Sequence, residues 1–364
     1  MSAYLGGGAP LLKPETVRLM WSEIYQRDPR IPGMGLGFYH EDTNGHVVVA
    51  HAGDTVAFHS DLHLIPDAHV GLFFSQNSAG KENSGIRGHL FRSFMDRYFP
   101  APPSKPQPTL ASAKTDGALI AGYYDSSRRS ETNFFRVGND QAKVTLNDDG
   151  TISVSPFLAL NGEPRRWREV KPFVWREVGG SHLLVAEMQD GRPREIASDL
   201  YPQVFVFSRS LFRDLPSWNI PLLIGTLSML LLTVAFWPIK AVLRWRYSSA
   251  FPYQGRAATM YRLTRLTALL DLVFLGGFFG ALAYGSIHLD FFDTPSDWIF
   301  RGLEVLGVIA IVATVVPLYE LRIALADPDR PWWTKLSDGL IALAALAVVW
   351  FAWSLNFVNF NLNY

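Results

Sequence analysis

The side chains best suited to chemistry crowd into one short stretch: His46, His51, His59, His63 and His69 fall within twenty-four residues, interleaved with Asp54, Asp61 and Asp67. Imidazoles beside carboxylates carry protons near neutral pH or bind transition metals. Alternation along a strand puts His59, Asp61 and His63 on one face, a donor set that zinc or copper accepts. A solvated sheet face accounts for the same residues, and no His-Glu-x-x-His spacing is present, so the expectation is no metal and no cofactor. The run His51-Ala52-Gly53-Asp54 offers different chemistry. An imidazole two residues before a glycine places a proton carrier beside backbone that a substrate can approach closely; taken alone, it also reads as a strand residue near a turn. Ser78-Ala79-Gly80-Lys81 has the letters of a nucleophilic Ser-x-x-Lys, but it follows a strand in a turn, with no positioned base to activate the hydroxyl. Asp271 and Glu304 stand inside apolar stretches, where a carboxyl group is a functional candidate by default. Their depths differ by ~10 Å at 1.5 Å per helical residue. That predicts no direct pair and leaves protonation or a helix-packing contact as the competing account. Arg301 can meet Asp297 and Glu304 at helical spacing.

The 364 residues provide for two or three domains of ~150 residues each. Thirty-three basic residues balance thirty-three acidic ones, which removes the charge footprint of a duplex nucleic-acid binder. The absence of cysteine excludes a disulfide framework, a thiolate zinc site, an iron-sulfur cluster and a cysteine nucleophile, and leaves the compartment open.

The elements that must position the histidines begin with a helix opened by Pro14, with Val17, Met20, Trp21 and Ile24 at helical spacing. After Pro32-Gly33, runs at 35–40, 46–51 and 56–65 read as strands, the first two joined by Asn44-Gly45, whose residues both tolerate positive φ. A fourth run at 69–75 completes an antiparallel meander, and Ile86, Leu90, Phe94 and Tyr98 form one face of a helix suited to pack on it. Prolines crowd residues 100–108, a stiff extended linker. Short runs then follow at 119–124, 133–137, 143–146, 151–154, 167–170, 174–178, 182–187 and 204–208, separated by turns such as Asp149-Gly150 and Asp190-Gly191. This pattern predicts a small barrel or sandwich.

Beyond Pro216 charges thin out. Residues 220–237 and 339–358 carry none, 266–287 hold only Asp271, and 298–319 hold Arg301 and Glu304. Each stretch approaches the ~20 residues needed to cross a ~30 Å hydrocarbon layer and is apolar on every face, unlike a helix of a soluble bundle. Trp218, Trp237, Tyr284, Trp298, Tyr319, Trp332 and Trp333 sit near the ends, at headgroup level. Lys240, Arg244, Arg246, Arg256 and Arg262 occupy the first connection and Asp290, Asp293 and Asp297 the second. The excess of basic residues assigns the first connection to the cytoplasm and both termini to the outside. Residues 1–30 lack the basic region and apolar run of an export signal, so the expectation is a chain that begins internally relative to a longer parent, or an inverted orientation. The fold class expected is multidomain: an α+β part with an antiparallel sheet at 1–99, a linker at 100–117, an all-β barrel or sandwich at 118–208, and an α-helical membrane bundle of four spans within 216–358, at about 219–237, 264–287, 298–320 and 337–358.

Gly35-Leu36-Gly37-Phe38, a hairpin, His51-Ala52-Gly53-Asp54, Phe58-His59-Ser60-Asp61-Leu62, Pro66 and Val70-Gly71-Leu72-Phe73-Phe74-Ser75-Gln76-Asn77 follow one another in this order. The series resembles the C-terminal part of the serine beta-lactamase-related family, which includes class C beta-lactamases, penicillin-binding D,D-peptidases and esterases. The resemblance covers about residues 1–99. It implies a partial beta-lactamase-like fold, with residues 1–8 matching an interior helix and glycine turn, and residues 118–208 similar to the lipocalin-like barrel that often follows the hydrolase in membrane-attached members. It also implies that His51-Ala52-Gly53 is the family's third motif: Lys or His, a small residue, then Gly. On that reading His51 aids substrate carboxylate binding and proton transfer, Gly53 admits the substrate, and Asp54 supplies its backbone N–H as one oxyanion donor. The family's Ser-x-x-Lys and Tyr-x-Asn motifs belong upstream of this strand and are absent from the chain; Ser78 and Lys81 stand on its wrong side.

The expectation is therefore a bacterial, membrane-anchored serine hydrolase represented by a portion that lacks the nucleophile and is inactive alone. The implied parent acylates its serine with a peptide, amide or ester carbonyl, cell-wall peptides being one candidate substrate. Its soluble domains lie on the exoplasmic, periplasmic side of the inner membrane. The competing expectation is a non-catalytic membrane protein whose outward module binds a peptide, a glycan or a separate N-terminal hydrolase half through an exposed sheet edge. The partners expected are the lipid bilayer and a hydrolase half or cell-wall peptide, with no nucleic acid.

Overall fold

A computed structural model describes residues 1–55, 58–78, 86–101, 108–138, 141–159 and 161–363. Ala79, Gly80 and Lys81 of the Ser-x-x-Lys run, and most of the proline-rich linker, lie outside the described residues. The chain divides into two compact units, Met1–Arg128 with Asp140–Ser210 and Arg129–Asn139 with Leu211–Tyr364.

In the first unit, helices α1 (Ser2–Leu5) and α2 (Pro14–Trp21) precede strands β1 (Tyr39–His40), β2 (Val49–Asp54), β3 (His59–Ile65) and β4 (Val70–Gln76), antiparallel in that order. Asn44 and Gly45 turn the chain between β1 and β2 with φ of 56° and 87°, the primed hairpin geometry that suits the twist of its strands. One sheet face buries Phe38, Val49 and Leu64 against Tyr4, Leu5, Met20 and Trp21. Helix α2 stops at Trp21, so Ile24 lies beyond it, its N–H bonded to Met34 O at 2.9 Å.

The other face buries Val48 and Ile65 against Phe91 and Met95 of α3 (Ile86–Tyr98). The buried face of that helix is not the one its spacing predicts: Ile86, Leu90 and Tyr98 are exposed. Two apolar stripes compete on α3. The one carrying Phe91 and Met95 at i, i+4 wins because it enters the sheet between Val48 and Ile65.

Helix α4 (Ala113–Ile120) leads into eight strands: β5 (Gly122–Ser126), β6 (Gln141–Leu146), β7 (Ile152–Leu158), β8 (Pro164–Lys171), β9 (Val174–Glu177), β10 (Leu183–Gln189), β11 (Arg192–Ser198) and β12 (Phe207–Arg209). They close into a barrel in the order β10-β11-β12-β5-β6-β7-β8-β9. Tyr124, Phe157, Trp167, Trp175 and Phe207 belong to the core cluster of this barrel, which is filled by side chains in the manner of small barrels. Residues 133–137 are not a strand: Phe134–Gly138 is a 3-10 turn, with Asn133 Oδ1 accepting from Phe135 N at 3.0 Å. Strand β11 takes the eighth place.

The N-terminal loop docks on this barrel. Arg27 grips Glu195 through Nε and Nη2 at 2.8 and 2.6 Å. The buried Gln203 amide accepts from the N–H of Asp28 and donates to the carbonyls of Asp28, Ile31 and Pro32.

The second unit contains α5 (Pro216–Arg246), α6 (Gly255–Ile287), α7 (Asp297–Ala313), α8 (Val315–Ala326) and α9 (Trp332–Ser354). With α7 and α8 forming one apolar stretch, these make four helices long and apolar enough to cross a membrane. The break at Thr314 precedes Pro317, which lacks the N–H that would bond back to Ala313. The segment Arg129–Asn139 belongs to this unit: Phe134 stacks on Phe300 at 4.5 Å, and Asn133 donates to Asn363 O at 2.9 Å.

Candidate functional site

The register His51↔Leu62 and Gly53↔Ser60, continued by Ser60↔Ser75 and Leu62↔Phe73, fixes one sheet face by alternation. On it His51, Gly53, Ser60, Leu62 and Phe73, with Gly37 and Phe38, line a cavity of about 420 Å³. His51 is exposed and borders this concavity. Its Nδ1 lies 2.8 Å from the carbonyl oxygen of Gly37. A carbonyl only accepts, so Nδ1 carries the proton and the neutral ring keeps its lone pair on Nε2. Gly37 presents that carbonyl from φ +73°, a backbone region that side-chain-bearing residues rarely enter. Nothing lies within 4 Å of where a Cβ on Gly53 would stand, so the backbone there is open to close approach.

The orientation of the Asp54 N–H follows from the ladder. Thr55 N bonds Phe58 O at 2.8 Å. By the two-residue alternation of an antiparallel pair, the N–H of Asp54 points away from β3, toward the edge where β1 pairs only with Val49 and Ala50. The Asp54 carboxylate takes His59 Nδ1 at 2.6 Å and Arg87 Nη2 at 2.7 Å. Partial burial works against its charge, but His59 and Arg87 hold the carboxyl below its ordinary range. Arg87 also donates to Ser60 O at 2.8 Å. These bonds hold the hairpin end that carries the Asp54 N–H. Across β1, burial, reinforced by Glu41 and Asp61, pushes the Tyr39 phenol well above its ordinary value, so it stays neutral beside His51, their rings 6.1 Å apart.

His59, Asp61 and His63 share the opposite face, toward α3, and each histidine is engaged by carboxylates: His59 by Asp54, His63 by Glu41 and Asp61. Among the described residues no group of three or more His, Asp or Glu is placed to hold a metal ion. In the helical unit Asp271 is fully buried with neither carboxylate oxygen hydrogen-bonded, while Glu304 pairs with Arg301 at 3.1 Å, as its spacing predicts. Ser60, whose hydroxyl meets that of Ser75 at 2.8 Å, and Phe73 join the cavity without a sequence signal of their own. Strand register places them there: Ser60 opposite Gly53 across β2 and β3, and Phe73 opposite Leu62 across β3 and β4.

No known family model matches the chain, and no curated protein does. Among solved structures, the crystal structure of SurE is similar over 57% of this chain and 46% of that chain, at 16% identity and a TM-score of 0.33. SurE with D-Leu is similar at 14% identity and a TM-score of 0.31, over 57% and 48%. The octameric penicillin-binding protein homologue from Pyrococcus abyssi is similar at 14% identity and a TM-score of 0.25, over 56% and 44%. The chain spans less than half the length of each of these structures.

Proposed function

We propose that the sheet of the first unit is one wall of an acyl-transfer cleft and that the four apolar helices anchor it in a lipid bilayer. The reading rests on His51: its tautomer is set by Gly37, leaving Nε2 as a base or, once protonated, a carboxylate ligand beside the open backbone of Gly53. The N–H of Asp54, at the edge β1 leaves uncovered, suits an oxyanion donor. The attacking hydroxyl, with its Ser-x-x-Lys base, comes from polypeptide other than residues 1–364. The substrate class is a peptide, amide or ester carbonyl, cell-wall peptides among them. The basic connection between α5 and α6 favours a cytoplasmic placement, with the cleft at the outer face of the inner membrane.

The test uses the purified full chain, alone and joined to an N-terminal half carrying Ser-x-x-Lys and Tyr-x-Asn. The chain alone leaves a fluorescent penicillin and an activated ester untouched; the joined protein is acylated, and H51A slows it by about a hundredfold or more. Labelling of the chain alone, or a joined enzyme indifferent to H51A, overturns the reading. A second reading, a non-catalytic module that docks a separate hydrolase half, is favoured by Phe73, 56% exposed on the cavity face; stable pairing without acylation would select it.

A further inference from the structure

The connection between α5 and α6 folds into an aromatic box. Phe251 meets Tyr253 and Tyr261 edge-on, centroids 5.7 and 5.4 Å apart, and the two tyrosines lie 5.2 Å from each other. Four guanidiniums sit on these rings: Arg330 over Tyr253 at 4.7 Å, Arg265 over Tyr261 at 3.6 Å, and Arg244 and Arg262 both over Phe251 at 5.0 and 5.5 Å. The first two are buried and neutralised. Arg330 Nη1 lies 2.9 Å from Glu320 and 3.1 Å from Asp338, and Arg265 Nη2 lies 3.7 Å from Asp338.

The other two have no such partner. Among the described residues no carboxylate stands within ion-pair distance of Arg244 or Arg262, although the same box supplies acids to their neighbours. Arg244 is half-buried and Arg262 exposed, so both remain open to a ligand. Sharing one ring brings the two like charges within ~11 Å, about one screening length. The ring face attracts each cation but leaves their mutual repulsion in place. An anion held between them removes it, and guanidiniums match the paired oxygens of a phosphate. Trp245 and Tyr247 are 81% and 72% exposed beside Arg244, amphipathic rings of the kind that settle among headgroups.

We propose that Arg244 and Arg262 clasp the phosphate of an anionic lipid headgroup. This rests on the bilayer reading of the four helices. The full chain is placed in nanodiscs of phosphatidylcholine with and without phosphatidylglycerol, and lipid retention is read by native mass spectrometry. Wild-type protein retains phosphatidylglycerol preferentially; R244Q/R262Q weakens that retention by more than the ~thirtyfold that two basic residues supply through charge alone, and R262Q alone by more than about fivefold, at ~1 kcal/mol per basic residue near a membrane surface. R246Q, on the same helix outside the box, costs no more than about fivefold. No preference for phosphatidylglycerol, or an equal loss in R246Q, overturns the proposal. Inorganic phosphate binding the detergent-solubilised chain as tightly as the lipid does also overturns it, in favour of a free phosphate site. Carbonate washing separates the two readings: a chain that stays in washed membranes without lipid preference defeats the clasp alone, whereas a released chain defeats the bilayer reading and the clasp with it.

Discussion

His63 lies flat on Phe91, their ring centroids 3.6 Å apart and their planes 4° from parallel. Its Nδ1 is 3.2 Å from Glu41 and its Nε2 3.1 Å from Asp61, paired by distance though out of line for directed hydrogen bonds. Burial alone would depress the imidazolium, but Asp61 and Glu41 outweigh it and raise His63 to about 9. A group raised on folding stabilises fully below its unfolded value and loses that contribution as pH climbs through the folded one. Stability of the full chain should therefore fall between about pH 6.5 and about 9, by on the order of 3 kcal/mol. Thermal unfolding across that range checks it, and a variant H63F that keeps the same slope would remove His63 as the cause.

Gln203 is 2% exposed and serves backbone groups of the 28–32 loop from both ends of its amide. Replacing it with leucine strands those groups away from water, at ~1–3 kcal/mol for each one left unmade. Q203L should lower the unfolding midpoint by several degrees and open the 27–33 loop to protease first. Q203E, which keeps the acceptor but forfeits the donor, should fall between the two. A Q203L protein as resistant as wild type would count against this account.

Arg330 is the shared cation of Glu320 and Asp338, all three buried. R330M leaves Glu320 without its ion-pair partner and Asp338 with Arg265 at 3.7 Å, a loss of about 3–5 kcal/mol by the measure of broken buried pairs. Removing Glu320 as well, in R330M/E320L, leaves Asp338 beside Arg265 and should recover most of it. Thermal unfolding in detergent separates these outcomes: a double variant no better than R330M would argue against unpaired charge as the source of the damage.

A reporter inserted after Arg256 should read cytoplasmic, and one at Tyr364 exoplasmic, if the basic connection sets the orientation. Alkaline phosphatase and green fluorescent protein fusions give opposite signals at the two positions. An exoplasmic signal at Arg256 inverts the topology and moves the His51 cavity to the cytoplasmic side.

The three-part architecture was readable because each part has its own period: two in the sheet and barrel, 3.6 without a polar stripe in the long helices. The misreadings are local and have causes. Phe134, Phe135 and Val137 look like a strand until Asn133 caps a tight turn and Phe134 enters the helical core. Arg192, Pro193, Arg194 and Glu195 look unlike a strand, yet Ile196 and Ala197 are buried in β11, Arg192 and Arg194 stay exposed, and Glu195 is buried beneath Arg27. At the candidate site, His51, Gly53 and Asp54 stood out by type and order, whereas Ser60 and Phe73 depend on pairing register. The Arg265, Glu320, Arg330 and Asp338 cluster draws from three different helices and one connection, so no spacing in the chain announces it.

Because Arg129–Asn139 belongs to the helical unit although it interrupts the barrel, the polypeptide passes from one unit to the other three times. Cutting after Ser210 to obtain a water-soluble fragment would carry this segment along without its neighbours and bare Phe134, which is wholly enclosed in the intact chain. Such a fragment should precipitate, and a short polar hairpin spliced in place of 129–139 should keep it in solution.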